Sequence, residues 1–307
     1  MYLTHIDEQG NDSPAILIDN STAANRAVNL PEFVNIPPDG MVKISTPAVD
    51  MYKQFDHAAE LGEKGQDADA IVEWTTLAAA NPDDARIHNN LGAALTRTDK
   101  FEEAISQFQK ALELNPQYNL VHSNLASAMV KAGRTGEALP QYQMALEAYP
   151  ESADLHNSFG SALETQGHLD LATREFARAI ELNPRFAEAH NNLGVAILST
   201  GPREQAGQAE QEFKTALSIN PHYAEAENNL GTLYGQQGND AEAERLFREA
   251  LKSDPAFTKA LVNLGATLAS ESRFAEADAV LKQALQIEPG NKEAQELRAM
   301  IKAQGNE

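Results

Sequence analysis

The sequence predicts an all-α superhelical solenoid of antiparallel helix pairs, preceded by a short extended, β-like N-terminal segment. Three series of residues carry that expectation. Prolines recur at Pro82, Pro116, Pro150, Pro184, Pro221, Pro255 and Pro289, stepping by 34 residues except for one step of 37. Small residues at Gly92, Ala126, Gly160, Gly194, Gly231 and Gly265 keep the same spacing and the same three-residue slip. So do Ala104, Ala138, Ala172, Ala209, Ala243 and Ala277. A fixed period of this length means that one helix pair is copied along the chain, each pair burying its apolar face only against its neighbours.

The elements within one repeat follow from side-chain spacing. Across Ala85–Thr98, Ile87, Leu91 and Leu95 recur every fourth residue, which places them on one helical face. A second helix is expected near Phe101–Leu114, with Ala104, Ile105, Phe108, Ala111 and Leu112 turned inward. Gly92 lies mid-helix, where glycine costs about 1 kcal/mol against alanine. That cost is tolerable if the absent side chain lets the partner helix approach closely. Pro116 ends the second helix, because its ring disfavours helical geometry in the residue before it.

Residues 292–304 put Ala294, Leu297 and Ile301 on one face and Lys292, Glu293, Glu296 and Arg298 elsewhere, the pattern of an amphipathic helix capping the last repeat. The three extra residues fall in Ser199–Gln208, around Gly201-Pro202 and Gly207, and read as a tolerated loop insertion. Trp74, the only tryptophan, sits at a packing position of a second helix.

Residues 1–50 follow no helical period and hold prolines at 31, 37, 38 and 47. Tyr2–Asp7 and Ala15–Asp19 read as two strands around the polar turn Glu8–Ser13. An isolated hairpin is marginal in water, so it needs a surface to pack on. The segment is also a candidate for self-association.

Composition narrows the function. The formal net charge of −21 repels phosphate backbones, so nucleic acid is not an expected partner. The same charge argues against an anionic membrane surface, and no apolar run reaches the roughly 20 residues that span a bilayer. Without cysteine there is no disulfide, thiolate metal site or cysteine nucleophile. Polar and acidic residues follow Met1, so no signal peptide is expected in the chain as given.

The sequence holds no phosphate-binding glycine loop, HExxH or GxSxG, and no catalytic residue, cofactor or metal is expected. His88, His122, His156 and His190 recur at one position and invite a metal reading. Repeats stacked about 8–10 Å apart are badly placed to share an ion whose ligands sit near 2 Å, so these rings are expected to fill space between helices.

Asn90-Leu91-Gly92, Ala104, Phe108, Ala111 and Pro116, with His190-Asn191-Asn192-Leu193-Gly194 and Asn228-Asn229-Leu230-Gly231, resemble the tetratricopeptide repeat. The resemblance implies seven repeats: 51–84, 85–118, 119–152, 153–186, 187–223, 224–257 and 258–291, with a capping helix in 292–307. The first is degenerate, with His57-Ala58 in place of the Leu-Gly pair. In this family the first helices line a concave face, and the residue before the Leu-Gly pair points into it. Those residues are Asn90, Asn124, Ser158, Asn192, Asn229 and Asn263.

The series is similar to the tetratricopeptide region of O-linked N-acetylglucosamine transferases, whose asparagine ladder holds an extended peptide. A carboxamide can pair with both groups of a passing peptide bond. The alternative is that these asparagines bond within the solenoid and merely fix adjacent repeats. Arg86, Arg97 and Lys131 suggest a cationic entry to the groove, and Asp154, Glu164, Glu188 and Glu225 an acidic remainder. Phe55 and Ala59 replace the Lys/Asn pattern of the chaperone-binding members, so that partner is not expected.

Tyr2, Ile6-Asp7-Glu8-Gln9-Gly10-Asn11-Asp12, Asn25-Arg26-Ala27 and Pro31-Glu32-Phe33-Val34 resemble the closing segment of TolB-like β-propeller proteins. That implies an exported protein and a longer ancestor or gene product; otherwise the location is cytoplasmic by default. The leading expectation is a scaffold that binds a protein or extended peptide. Its rivals are a self-assembling structural protein and a non-catalytic regulatory region derived from a larger glycosyltransferase-like or propeller-containing protein.

Overall fold

Four of the helix pairs close around an aromatic ring seated where a side chain is missing. In the computed structural model, a Cβ built on Gly92, Gly160, Gly194 or Gly231 would stand 2.6–2.8 Å from a ring carbon of Phe108, Phe176, Phe213 or Phe247. At Gly265 the opposing group is Leu281, 2.6 Å away. Real carbon contacts do not reach such distances, so the mid-helix glycines are there for close approach. Phe108, Phe176 and Phe213 are fully buried as a result.

The structure describes residues 46–200 and 205–304 and the backbone of three short strands. They fall in two compact units, Met1–Ala132 and Gly133–Glu307. Unit one opens with the strands β1 (Tyr2–His5), β2 (Ile16–Leu17) and β3 (Val42–Ile44), in the order β2-β1-β3, with β1 antiparallel to β2 and parallel to β3. Val42–Ile44, within the stretch 1–50 that follows no helical period, forms a strand.

The helices α1 (Thr46–Glu63), α2 (Asp67–Ala80), α3 (Ala85–Arg97), α4 (Phe101–Leu114) and α5 (Asn119–Lys131) follow. The first helix therefore starts at Thr46, ahead of the expected repeat boundary at residue 51. Pro47 fits there, because the first turn of a helix tolerates proline.

Unit two contains α6 (Thr135–Ala148), α7 (Ala153–Thr165), α8 (Leu169–Leu182), α9 (Ala187–Thr200), α10 (Ala206–Ile219), α11 (Ala224–Gln236), α12 (Asp240–Ser253), α13 (Thr258–Ser270), α14 (Phe274–Ile287) and α15 (Lys292–Gln304). Within each unit the second helices pack on their own partners and on the first helix of the next repeat, α6 packs on α7, and α14 packs on α15. Ala294 and Ile301 of α15 are buried in one cluster with Leu268 and Leu281, and Arg298 pairs with Asp278 at 2.7 Å. Lys292, Glu293 and Glu296 are exposed, so α15 turns its polar face away from that cluster. Gly201-Pro202, the turn Glu8–Ser13 and most of the propeller-like residues lie outside the described residues.

Local signals fix the turns. Between repeats, Asn115, Asn183, Asn220 and Asp254 each accept a hydrogen bond from the backbone N–H two residues on, at 2.9–3.2 Å. This is why Asn or Asp precedes the recurring proline. Asp84 and Ser152 cap α3 and α7 by accepting from Arg86 and Leu155.

Between the two helices of a pair, one position takes a left-handed backbone. Gly65, Gly133, Gly167 and Gly238 fill it with φ of 72–79°, but Asp99 and Ser272 hold it at 59° and 62°. A left-handed non-glycine residue costs roughly 1 kcal/mol or more.

Two outcomes follow for stability. Gly160→Ala is expected to destabilise α7 and α8 by about 1–3 kcal/mol through overpacking against Phe176, measured by hydrogen exchange. Helix propensity alone predicts the opposite sign. Ser272→Gly is expected to stabilise the α13–α14 pair by about 1 kcal/mol; an unchanged or lower melting temperature would contradict this.

Candidate functional site

The six positions expected to face a groove are half-buried: Asn90, Asn124, Ser158, Asn192, Asn229 and Asn263. In unit one, the Asn124 Nδ2 donates to the Asn89 Oδ1 at 2.9 Å. In unit two, Asn192 donates to Asn157 at 3.1 Å, Asn229 to Asn191 at 2.9 Å and Asn263 to Asn228 at 2.8 Å. Each bond runs from one repeat to the residue preceding the groove position in the repeat before it. These asparagines therefore tie neighbouring repeats together.

The acceptors Asn89, Asn157, Asn191 and Asn228 were not singled out from the sequence. They are 0–5% exposed, and they carry the ladder inward. The Asn-Asn dipeptides at 89–90, 191–192 and 228–229 are the signal that marks them. Within these pairs the inner carboxamide donates to the outer one, at 3.2 Å from Asn89 to Asn90 and 3.3 Å from Asn191 to Asn192.

These bonds leave the outer carboxamides incompletely used. An asparagine offers two N–H donors and an oxygen with two lone pairs. Asn192 spends one donor on Asn157 and one lone pair on Asn191. One donor and one lone pair remain on a half-exposed side chain. Asn229 is in the same condition, spending a donor on Asn191 and accepting only a long 3.5 Å contact from Asn228.

The charged positions are more committed than expected. Arg86 grips Asp84 through Nε at 3.0 Å and Nη2 at 2.6 Å, and lies 5.6 Å over the Phe55 ring. Burial opposes ionisation of Asp84, but the Arg86 guanidinium and the amides of Arg86 and Ile87 outweigh it and hold the carboxyl below its ordinary range. Arg97 Nε donates to Asp67 at 2.6 Å. Local carboxylates thus balance both arginines, while Lys131 is exposed near Glu102 and Glu103.

On the acidic side, Glu188 accepts from Asn157 at 2.9 Å. Burial pushes the Glu164 carboxyl up. Burial also pushes the Tyr223 hydroxyl up, helped by Glu188 and Glu225.

The histidine row stands one residue before the buried asparagines Asn89, Asn157 and Asn191. His156 bonds Glu175 at 2.6 Å and the Pro150 carbonyl at 3.1 Å; His190 bonds Glu212 at 2.6 Å and the Pro184 carbonyl at 3.1 Å. His88 uses Gln107 and the Pro82 carbonyl. The rings fill space and also clip the end of one repeat to the second helix of the next. Among the described residues, no group of three or more acidic or histidine side chains is placed to hold a metal ion.

In the sixth repeat the same position is Glu227, 5% exposed and hydrogen-bonded by the Ser253 hydroxyl at 3.0 Å. Burial, with Glu249 adding to it, raises its carboxyl pKa. A raised carboxyl holds its proton more tightly in the folded chain. Stability is therefore fullest below the ordinary carboxylate range and falls as pH rises through the raised value.

Asn191→Ala is expected to cost about 1–3 kcal/mol, since it strips a buried partner from both Asn192 and Asn229. Faster hydrogen exchange in α9 and α11 checks it. Glu227→Gln is expected to raise the melting temperature more at about pH 8 than at about pH 5. Equal gains at both pH values would show that Glu227 carries no buried charge.

Comparisons with known proteins agree with this architecture. Sequence models described as tetratricopeptide repeat match residues 83–151, 157–224, 203–260 and 236–301, which together make up more than half of the chain. No curated protein matches. Among solved structures, a tetratricopeptide repeat protein from Parabacteroides merdae superposes with a TM-score of 0.68 at 18% identity, covering 82% of this chain and 98% of that one. A chain of the APC/C hetero-tetramer Cut9-Hcn1 gives 0.68 at 19% identity over 80% of this chain, which spans only 48% of that longer chain. Pseudomonas aeruginosa pilF gives 0.59 at 21% identity, covering 70% and 97% of the two chains. The repeat period, the glycine–aromatic contact in the helix pairs and the matched sequence models together establish that this chain belongs to the tetratricopeptide-repeat family.

Proposed function

We propose that the chain is a non-catalytic scaffold that holds an extended peptide segment of a partner protein by its backbone. Tetratricopeptide-repeat proteins are generally protein-interaction scaffolds. The observation that carries the finer reading is the condition of the outer asparagines. Asn192, Asn229 and Asn263 recur once per repeat, are pinned by a bond to the repeat before, and stay half-exposed; Asn263 also donates to the Thr232 hydroxyl at 3.2 Å, so the spare donors are those of Asn192 and Asn229.

A carboxamide fixed in this way loses little freedom when it binds, which lowers the ordering cost of association. Its spare donor and acceptor match the C=O and N–H of a peptide bond, whatever the peptide's sequence. Ser158 supplies a hydroxyl at the corresponding position of the fourth repeat, and Asn90 and Asn124 form the shorter run in unit one.

Charge refines the partner. With Arg86 and Arg97 balanced by Asp84 and Asp67, Lys131 is the remaining contributor to a cationic entry. Asp154, Glu164, Glu188 and Glu225 give the unit-two face an acidic character. A segment with basic or neutral side chains is therefore favoured over an acidic one.

Peptides selected from a random library on the intact chain test this reading. Methylating successive backbone nitrogens of a selected peptide is expected to weaken binding at least about tenfold at some positions, more than replacing individual side chains with alanine. The double variant Asn192→Ala/Asn229→Ala is expected to lose binding while keeping its helical circular dichroism. Binding that ignores backbone methylation but depends on one or two side chains would overturn the backbone-reading mechanism.

A further inference from the structure

The first inter-repeat step of unit one differs from the others. The place one repeat before Asn89 is held by Phe55, whose ring turns away to meet Trp74 edge-on, with centroids 4.7 Å apart. Asn90 accepts a bond from Asn89, but no asparagine stands before it to receive its own Nδ2, as Asn89 does for Asn124. Here the cleft between α1 and α3 is open, with a volume of about 350 Å³. That is the low end of the roughly 300–1,000 Å³ range of binding pockets, too small for a large ligand and adequate for one side chain.

The cleft is apolar below and polar at its rim. Ala58, Ala59, Ala93 and the indole of Trp74 line its floor, and Asn90, Arg97 and Glu63 its rim. Gly62 admits the guanidinium, since a Cβ there would stand 3.0 Å from the Arg97 Nη2. Asp67 already balances Arg97, and Glu63 adds a further carboxylate at the rim, in a chain of net charge −21. The site therefore disfavours a free carboxylate or an acidic side chain.

We propose that this cleft is an anchor for the bound segment: it takes one uncharged apolar side chain, while the adjoining peptide carbonyl accepts a hydrogen bond from the Asn90 Nδ2. The proposal rests on the peptide-binding reading and adds a sequence preference to a face that otherwise reads only backbone.

Trp74 is the chain's only tryptophan, so its emission reports on the cleft directly. Titrating the intact chain with acetyl-Ala-Leu-Ala-amide is expected to change that emission saturably. Acetyl-Ala-Glu-Ala-amide, and the leucine peptide with a free C-terminal carboxylate, are each expected to bind at least tenfold more weakly. Asn90→Ala is expected to weaken the leucine peptide roughly 3- to 10-fold, and Ala93→Leu, which fills the cleft, to abolish the response. No saturable change, equal binding of the acidic peptide, or an Asn90→Ala variant with unaltered affinity would each overturn the anchor. If any of these occurs while selected peptides still depend on backbone N–H groups at Asn192 and Asn229, the anchor alone fails and the backbone-binding reading stands.

Discussion

A ring seated against a bare backbone is the contact on which the rest of this protein depends. Phe108, Phe176, Phe213 and Phe247 occupy the space that a Cβ on the facing glycine would take. This sets how closely the two helices of a pair approach, and so where their outer faces lie. Every later feature inherits that distance. The buried asparagines reach the next repeat because the first helices stand in a fixed relation to it, and the histidines reach the preceding proline carbonyl for the same reason. A single methyl group at the glycine would be felt across the interface, since protein interiors are packed to crystal-like density.

Two polar systems then hold repeat to repeat. In one, carboxamides pair with carboxamides, from Asn124 to Asn89 and from Asn192, Asn229 and Asn263 to Asn157, Asn191 and Asn228. In the other, His88, His156 and His190 join a proline carbonyl to a side chain of the following second helix. Buried polar groups of this kind stabilise only when fully satisfied, and among the described residues no buried side-chain nitrogen or oxygen lacks a partner. Under the proposed reading the consequence is pre-organisation: the half-exposed carboxamides of Asn124, Asn192, Asn229 and Asn263 are held by the repeat before.

The solenoid was legible because period is a property of one chain read against itself. Apolar spacing located the helices α3 and α4 and the terminal helix α15 to within a residue or so, the proline, glycine and alanine series gave the period, and the mid-helix glycines pointed to close packing. The ladder was legible by position but not by partner. Nothing in the spacing of Asn90 and Asn124 says that the acceptor for the second is Asn89, because a bond between repeats depends on how the two helices are rotated. The same limit applies to Arg86 and Arg97. Their placement read as free positive charge, and the carboxylates that balance them, Asp84 and Asp67, lie on a loop and on another helix. The left-handed turn positions at Asp99 and Ser272 were hidden because neither residue type announces a positive φ as glycine does.

The central claim is that the outer asparagines serve two partners at once, the neighbouring repeat and a bound backbone. Side-chain amide resonances separate the two roles directly. On adding a selected peptide to the isotopically labelled chain, the account predicts shifted Nδ2 signals for Asn192, Asn229 and Asn263, with those of the buried Asn191 and Asn228 nearly unmoved. Unmoved outer amides, with the shifts confined to the second helices of the repeats, would contradict it.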